Sequence, residues 1–300
     1  MPRALLALFA VFLLLAAPVH AEEPKAEEEA PIPELADKEE LKEAIDAYKT
    51  EYKAKGMKGE EKLAYQVHAI RTLAEVQHPK VVDMLVKLTK NKNPDIAAAA
   101  LIGLGDQRRI PGYAGQAIVK VMTIKSKDAT TQMAGLAAIS NLKYFGAKDV
   151  ITKLMGHHDY AVKKNALVTI GKLKDERFIE DIVKLMKELK LEKGAKWDGV
   201  NVTYDTGTAG DGDQKMAEKI GKAQEAKNKK KGKRAARSQR DIGPVVLELM
   251  FDLTGERFTG GIAARKWLNE NRKDVDAKAG ARKAQADEQA AEAKASKKLR

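Results

Sequence analysis

Four motifs in the sequence combine residue types that chemistry uses, and each lacks part of its apparatus. Asp205-Thr206-Gly207 sets a carboxylate in a tight turn, which suits acid–base hydrolysis when a second carboxylate shares its proton. No second Asp-Thr-Gly occurs, and Asp252-Leu253-Thr254-Gly255 has a different order. Asp205, Asp211 and Asp213 offer hard oxygen ligands in a glycine-rich stretch. Their spacing is not that of an EF-hand loop, and no bidentate glutamate closes it. His157 and His158 are adjacent, so on a regular helix they face different ways, and their neighbours read as a turn. Gly103-Leu104-Gly105 falls late in a helical pattern rather than between a strand and a helix, the wrong setting for a phosphate loop. The chain has no cysteine, which excludes thiolate nucleophiles, thiolate metal sites and disulfides. The expectation is a protein with no catalytic residue, no metal and no cofactor. Hydrolysis through the Asp205 loop ranks third among the functions weighed.

Charge points to contacts rather than catalysis. The formal net charge is +12, and its densest focus is Lys227–Arg240, which holds eight basic residues and no acid. Within it, Lys229, Lys230, Lys231, Lys233, Arg234 and Arg237 are candidates for contact with an anionic polymer or membrane surface. The segment has no aromatic on which a base would stack, so no specific nucleic acid is expected as a partner.

These groups must be positioned by helices. Aromatic residues make up only 5% of the chain while a third is charged, and Ala, Leu, Ile and Val supply the apolar surface. A repeat emerges on aligning the leucines. Ile70, Leu101, Leu136 and Leu167 recur at 31, 35 and 31 residues, each followed three residues later by Leu73, Leu104, Ile139 or Ile170. Small residues come next: Ala74, Gly105, Ser140 and Gly171. A second cluster follows as Leu85/Leu88, Ile118/Val121, Ile151/Leu154 and Ile182/Leu185. Spacings of three and four within each copy mark one face of a helix. Each copy therefore reads as two helices joined by a short turn, with the small residue letting the second approach the first. Asn93-Pro94-Asp95 and His158-Asp159 stand where the next helix should start. One hairpin cannot bury its own face, so the copies must stack. In this register Lys87, Lys120, Lys153 and Lys184 each precede the last core residue of a second helix, forming a candidate partner-binding row.

Asp159-Tyr160-Ala161-Val162-Lys163, with Ala166-Leu167 and Ile170 to Asp175, resembles a bacterial HEAT repeat of the type also found in phycobilin-lyase-like proteins. Asn93 to Asp106 resembles the same pattern, and the likeness covers about residues 60–190. The resemblance implies an armadillo-like, right-handed α-solenoid that displays one helix layer on a concave face and binds other macromolecules. Leu253 to Phe258, followed by Trp267, resembles a closing segment of secreted HEAT proteins.

The fold expected is thus all-α: about four HEAT-type hairpins, at about 60–90, 94–124, 129–156 and 159–190, between capping helices. Residues 37–192 hold the repeats, with Asp37–Lys55 as the N-terminal cap. Residues 193–240 form an irregular insertion, and 241–271 the C-terminal cap, its first helix starting at Pro244. Arg3, the apolar run Ala4–Ala17 and the small residues Val19 and Ala21 predict a signal peptide cleaved near Ala21. The apolar run is too short to span a bilayer, so the mature chain is expected to be exported, periplasmic or secreted, without a transmembrane segment. Residues 22–36 are an acidic, proline-containing linker. Residues 272–300 have no large apolar side chain but Val275 and Leu299, which predicts a disordered charged tail. The leading function is a non-catalytic scaffold binding other proteins through its concave layer; docking on an anionic surface through the basic segment is second.

Overall fold

A computed structural model describes residues 34–53, 55–124, 128–189, 191 and 234–299. The chain divides into two units, Met1–Ile32 and Pro33–Arg300, and only the second contains described residues. The expected export signal, most of the acidic linker, the Asp205 loop and Lys229, Lys230, Lys231 and Lys233 lie outside them.

Among the described residues the regular structure is helical, with turns between the helices and one isolated bridge between Leu35 and Gln77. Helix α1 (Lys38–Lys53) starts in a capping box. Asp37 Oδ1 accepts from the Glu39 and Glu40 amides, and Glu40 returns an acceptor to the Asp37 amide. Four helix pairs follow: α2 (Gly59–Glu75) with α3 (Pro79–Leu88), α4 (Pro94–Gly105) with α5 (Pro111–Ile124), α6 (Ala129–Leu142) with α7 (Lys148–Met155), and α8 (Tyr160–Leu173) with α9 (Ile179–Glu188). Asn93 caps α4, Asp128 caps α6 and Asp159 caps α8, each through a side-chain oxygen that accepts from the amide two residues on. Short 3-10 turns, Phe145–Ala147 and Glu176–Phe178, lead into α7 and α9.

The first helices pack in series, α1 on α2, α2 on α4, α4 on α6, and α6 on α8. The second helices form another layer, α3 on α5 and α5 on α7. Between the layers lies the core, and the aligned sequence positions fill it: Ile70, Leu101, Leu136, Leu167, Leu104, Ile139 and Ile170 are wholly buried. Each such side chain contributes about 1.5–3 kcal/mol on burial. Helix α10 (Arg234–Thr254) stacks on α8 as a further first helix would, and α11 (Gly261–Glu270) stacks on α9. Gly255, at φ 75°, ends α10 in the left-handed region that glycine adopts without strain. Phe258 and Trp267 meet edge to face at 5.7 Å, Trp267 being half-buried.

Four features differ from the sequence expectations. The small residue late in α4 does not serve its own hairpin. A Cβ on Gly105 would lie 2.7 Å from the Ala138 Cα, so the close approach is between successive first helices, α4 and α6. Pro244 lies inside α10 rather than at its start, because Ile242 upstream of it is buried and holds the preceding turn against the core. The end of the acidic linker is paired through its backbone: Leu35 bridges Gln77 while its side chain stays exposed, and the Ala36 amide donates to the Gln77 carbonyl at 3.2 Å.

The largest departure is at the C-terminus. The segment expected to be disordered is α12 (Arg272–Ser296), a helix of 25 residues that folds back on α5 and on the 3-10 turns before α7 and α9. Its inward residues are Val275, Ala279, Arg282, Ala286, Gln289, Ala293 and Ser296, spaced alternately by four and three. That is a heptad seam, built from small and polar side chains in place of leucines.

Candidate binding surface

Lys87, Lys120, Lys153 and Lys184 are all exposed, one on each of the second helices α3, α5, α7 and α9. Lys184 is engaged on its own helix, 3.6 Å from Glu180 and 3.8 Å from Asp181. Among the described residues no ion pair is recorded for the other three. The row is therefore a set of exposed cations whose last member is partly neutralised. Arg234 and Arg237 stand in the first turn of α10.

The second-helix layer is not bare at its other edge. Helix starts carry amides with no partner inside the helix, and they need acceptors from elsewhere. Hairpins one and four supply their own. His78 Nδ1 accepts from the Lys80 amide at 3.0 Å at the start of α3. Asp175 Oδ1 accepts from the Arg177 amide at 3.1 Å before α9. Hairpins two and three have no such residue. Ile110 precedes α5 and carries no polar group, while Tyr144 and Ala147, before the 3-10 turn and α7, make no side-chain cap. Helix α12 provides what is missing. The Gly112 amide donates to Glu292 Oε2 at 3.2 Å, and the Phe145 amide donates to Gln289 Oε1 at 2.9 Å. Gln289 Nε2 also donates to the Lys143 carbonyl at 3.0 Å.

Phe145 is the hub of this arrangement. Its carbonyl accepts from Arg177 at 2.6 Å, and Arg177 is held by the buried Asp175. The Arg282 guanidinium lies over its ring at 5.1 Å and pairs with Glu176 at 3.0 Å. Gly112 permits the approach of α12, since a Cβ there would overlap the backbone carbonyl of Gln289. The turns of hairpins one and two are tied in another way. Gln107 donates to the Ala74 and Val76 carbonyls and accepts from the His78 amide, while Gln77 donates to the Asp106 carbonyl and accepts from the Arg109 amide. Both glutamines are buried, so these bonds satisfy groups that water does not reach.

Glu292 is the weak point. Burial pushes its carboxyl above the ordinary range; the Gly112 amide opposes the shift and nearby Glu288 reinforces it. Its Oε1 is buried with no hydrogen-bond partner among the described residues. Burial and the adjacent Glu292 in turn push the Tyr144 phenol up. Elsewhere, burial and Lys80 lower the pKa of His78, which keeps Nδ1 free to accept.

The lysine row and α12 share the second-helix layer. Lys120 lies eight residues beyond Gly112 on α5, about 12 Å along the axis at about 1.5 Å per residue. The layer that sequence reasoning left open to a partner is therefore lined along one edge by the chain's own last helix. Sequence reasoning missed Arg282, Gln289 and Glu292; the signal was there in the recurrence of alanine every seven residues, at Ala279, Ala286 and Ala293. His157 and His158 stack at 4.3 Å in the turn before α8, where His157 Nδ1 accepts from the Asp159 amide. Among the described residues no helix is long and apolar enough to cross a membrane. No family model matches the chain, and no curated protein matches it.

Proposed function

We propose that the chain is an exported, non-catalytic HEAT-type scaffold, an α-solenoid of about four hairpins, that binds an acidic protein along the lysine-bearing part of its second-helix layer. The observation that carries this reading is the exposure of Lys87, Lys120, Lys153 and Lys184 at equivalent positions of the second helices. Export is supported by Arg3, the apolar run and the small residues up to Ala21. A second reading, docking on an anionic polymer or membrane, rests on Lys227–Arg240.

Each exposed charge contributes only about 0.2–1 kcal/mol to a contact, so the row acts as a set. Four together change affinity by about tenfold or more, since about 1.4 kcal/mol is tenfold. The test is a quadruple Lys→Glu variant at positions 87, 120, 153 and 184, assayed against partners captured from envelope extract at low and high salt. Loss of a captured protein with the helical spectrum intact supports the reading. Capture unchanged by the variant refutes it, and retention on anionic vesicles that depends on residues 229–237 favours the second.

A further inference from the structure

We propose that the outer face of the first-helix layer is the contact between two copies of this chain, paired about a two-fold axis that runs parallel to the helices between α4 and α6. This face lies across the core from the lysine row and does not depend on it.

The outward line of a surface helix normally carries charge. A third of this chain is charged, yet α4 has one charged residue, Asp95 at its start, and α6 has none. From Ile96 to Gly105 every residue of α4 is buried or half-buried, and the two that reach solvent are Ala98 and Ile102. The matching half-buried positions of α6 are Met133 and Ala137. Neighbouring helices stand level. A Cβ on Gly103 would lie 2.8 Å from that of Ala74, one on Gly105 2.7 Å from the Ala138 Cα, and the Thr169 hydroxyl donates to the Leu136 carbonyl at 3.3 Å. Ala98 therefore stands beside Met133 and Ile102 beside Ala137, large and small in a chequered block. Rotation about the axis reverses the order of the helices and keeps their level. Ala98 then meets the partner's Met133 and Ile102 the partner's Ala137, so each large side chain has a small one opposite it.

Charge and area agree with a second copy. Glu75 ends α2 and Lys172 lies in the last turn of α8, both exposed and at equivalent positions. The same rotation sets α2 against the partner's α8, so Glu75 meets the partner's Lys172, twice over by symmetry. Helices α2, α4, α6 and α8 have 12 to 17 residues. They are thus about 20 Å long, with axes about 8–10 Å apart. Their joint face is roughly 700–800 Å², and a stable dimer buries about 800 Å² on each partner.

Sedimentation velocity of the purified protein over a concentration series should show a monomer–dimer equilibrium. Ile102→Glu sets a carboxylate against the partner's Ala137 and should abolish the dimer. Glu75→Lys and Lys172→Glu each create two like-charged contacts and should each weaken it by about tenfold. Mixed in equal amounts, these two variants should recover the wild-type affinity, because in the mixed dimer both contacts join opposite charges. Both positions are exposed, so the fold should survive, which circular dichroism and melting check for all three variants. A monomer at every concentration would overturn the proposal and leave the face to another protein or to residues 193–233. A dimer that survives Ile102→Glu would overturn it too, as would one that the mixed charge variants fail to restore.

Discussion

Hairpins one and four differ from hairpins two and three in where they find the same hydrogen bonds. His78 caps α3 and Asp175 caps the 3-10 turn before α9, each from the residue just ahead of it, a purely local solution. Phe145 and Gly112 take theirs from residues 144 and 180 positions away. The repeat fixes the need for a cap, since every helix start exposes amides, but not its source. Hairpins one and four carry these caps within their own turns; the other two receive theirs from α12. The caps of those two hairpins therefore depend on the C-terminal helix.

The largest expected effect is on the locally capped side. Asp175→Ala removes the cap and leaves the Arg177 guanidinium, 12% exposed, without its buried carboxylate. The cost should be about 3–5 kcal/mol, the range for breaking a buried pair. Denaturant unfolding measures it, and a loss under about 1 kcal/mol would mean that Arg177 re-pairs and that the local cap matters little.

Gly112→Ala breaks the distant side. At an ordinary interior helix position this change stabilises by about 1 kcal/mol. Here the methyl group meets backbone of α12, so a net loss of about 1–3 kcal/mol is expected. Faster proteolysis within residues 272–296 should accompany it. A stabilised variant with an unchanged cleavage pattern would show that α12 does not lie against α5.

The two cap types should answer pH in opposite senses. His78 must be neutral to accept, and its pKa is lowered on folding. Its contribution is present above the ordinary histidine value and is lost as pH falls through the folded value. Glu292 is raised, so the docked tail binds the proton more readily than the free one. Docking is favoured below the ordinary carboxylate value, and that advantage is lost as pH rises through the folded value. Glu288 on α12 adds to the repulsion and Tyr144 faces the same carboxyl, while the Gly112 amide favours the anion. Amide chemical shifts of Lys80 and Gly112 report the two caps. The Gly112 midpoint should lie above about 4.5 and the Lys80 midpoint below about 6.5. A Glu292→Gln variant should flatten the Gly112 curve alone; midpoints displaced the other way would reject the contrast.

The smallest effect concerns the turns that both classes share. Lys143 ends α6 and Lys174 ends α8 at φ 48°, a conformation costly for a side chain. Lys174→Gly should raise stability by up to about 1 kcal/mol without touching α12. A melting temperature that falls instead would show that the lysine side chain, not its backbone, governs the turn.

The hairpins were legible because their determinants are local. Apolar residues three and four apart fix each helix face, and Asn93 and Asp159 cap the helices that they precede. Gly105 showed its smallness in the sequence but not its neighbour, since only packing decides that Ala138, rather than the second helix of the same hairpin, lies against it. Pro244 reads as a helix start by local rules, and only the burial of Ile242 carries the helix past it.

Residues 272–296 mark the limit. Their sequence determined a strong helix propensity and, in the four-three spacing from Val275 to Ser296, a seam. It did not determine docking, because alanine, glutamine and arginine at the seam carry little transfer free energy of their own. What holds α12 is the unmet hydrogen-bonding capacity of Gly112 and Phe145, backbone groups that every residue possesses. Whether such a group lacks a partner is a property of the assembled fold, so only the tertiary structure decided where the chain ends.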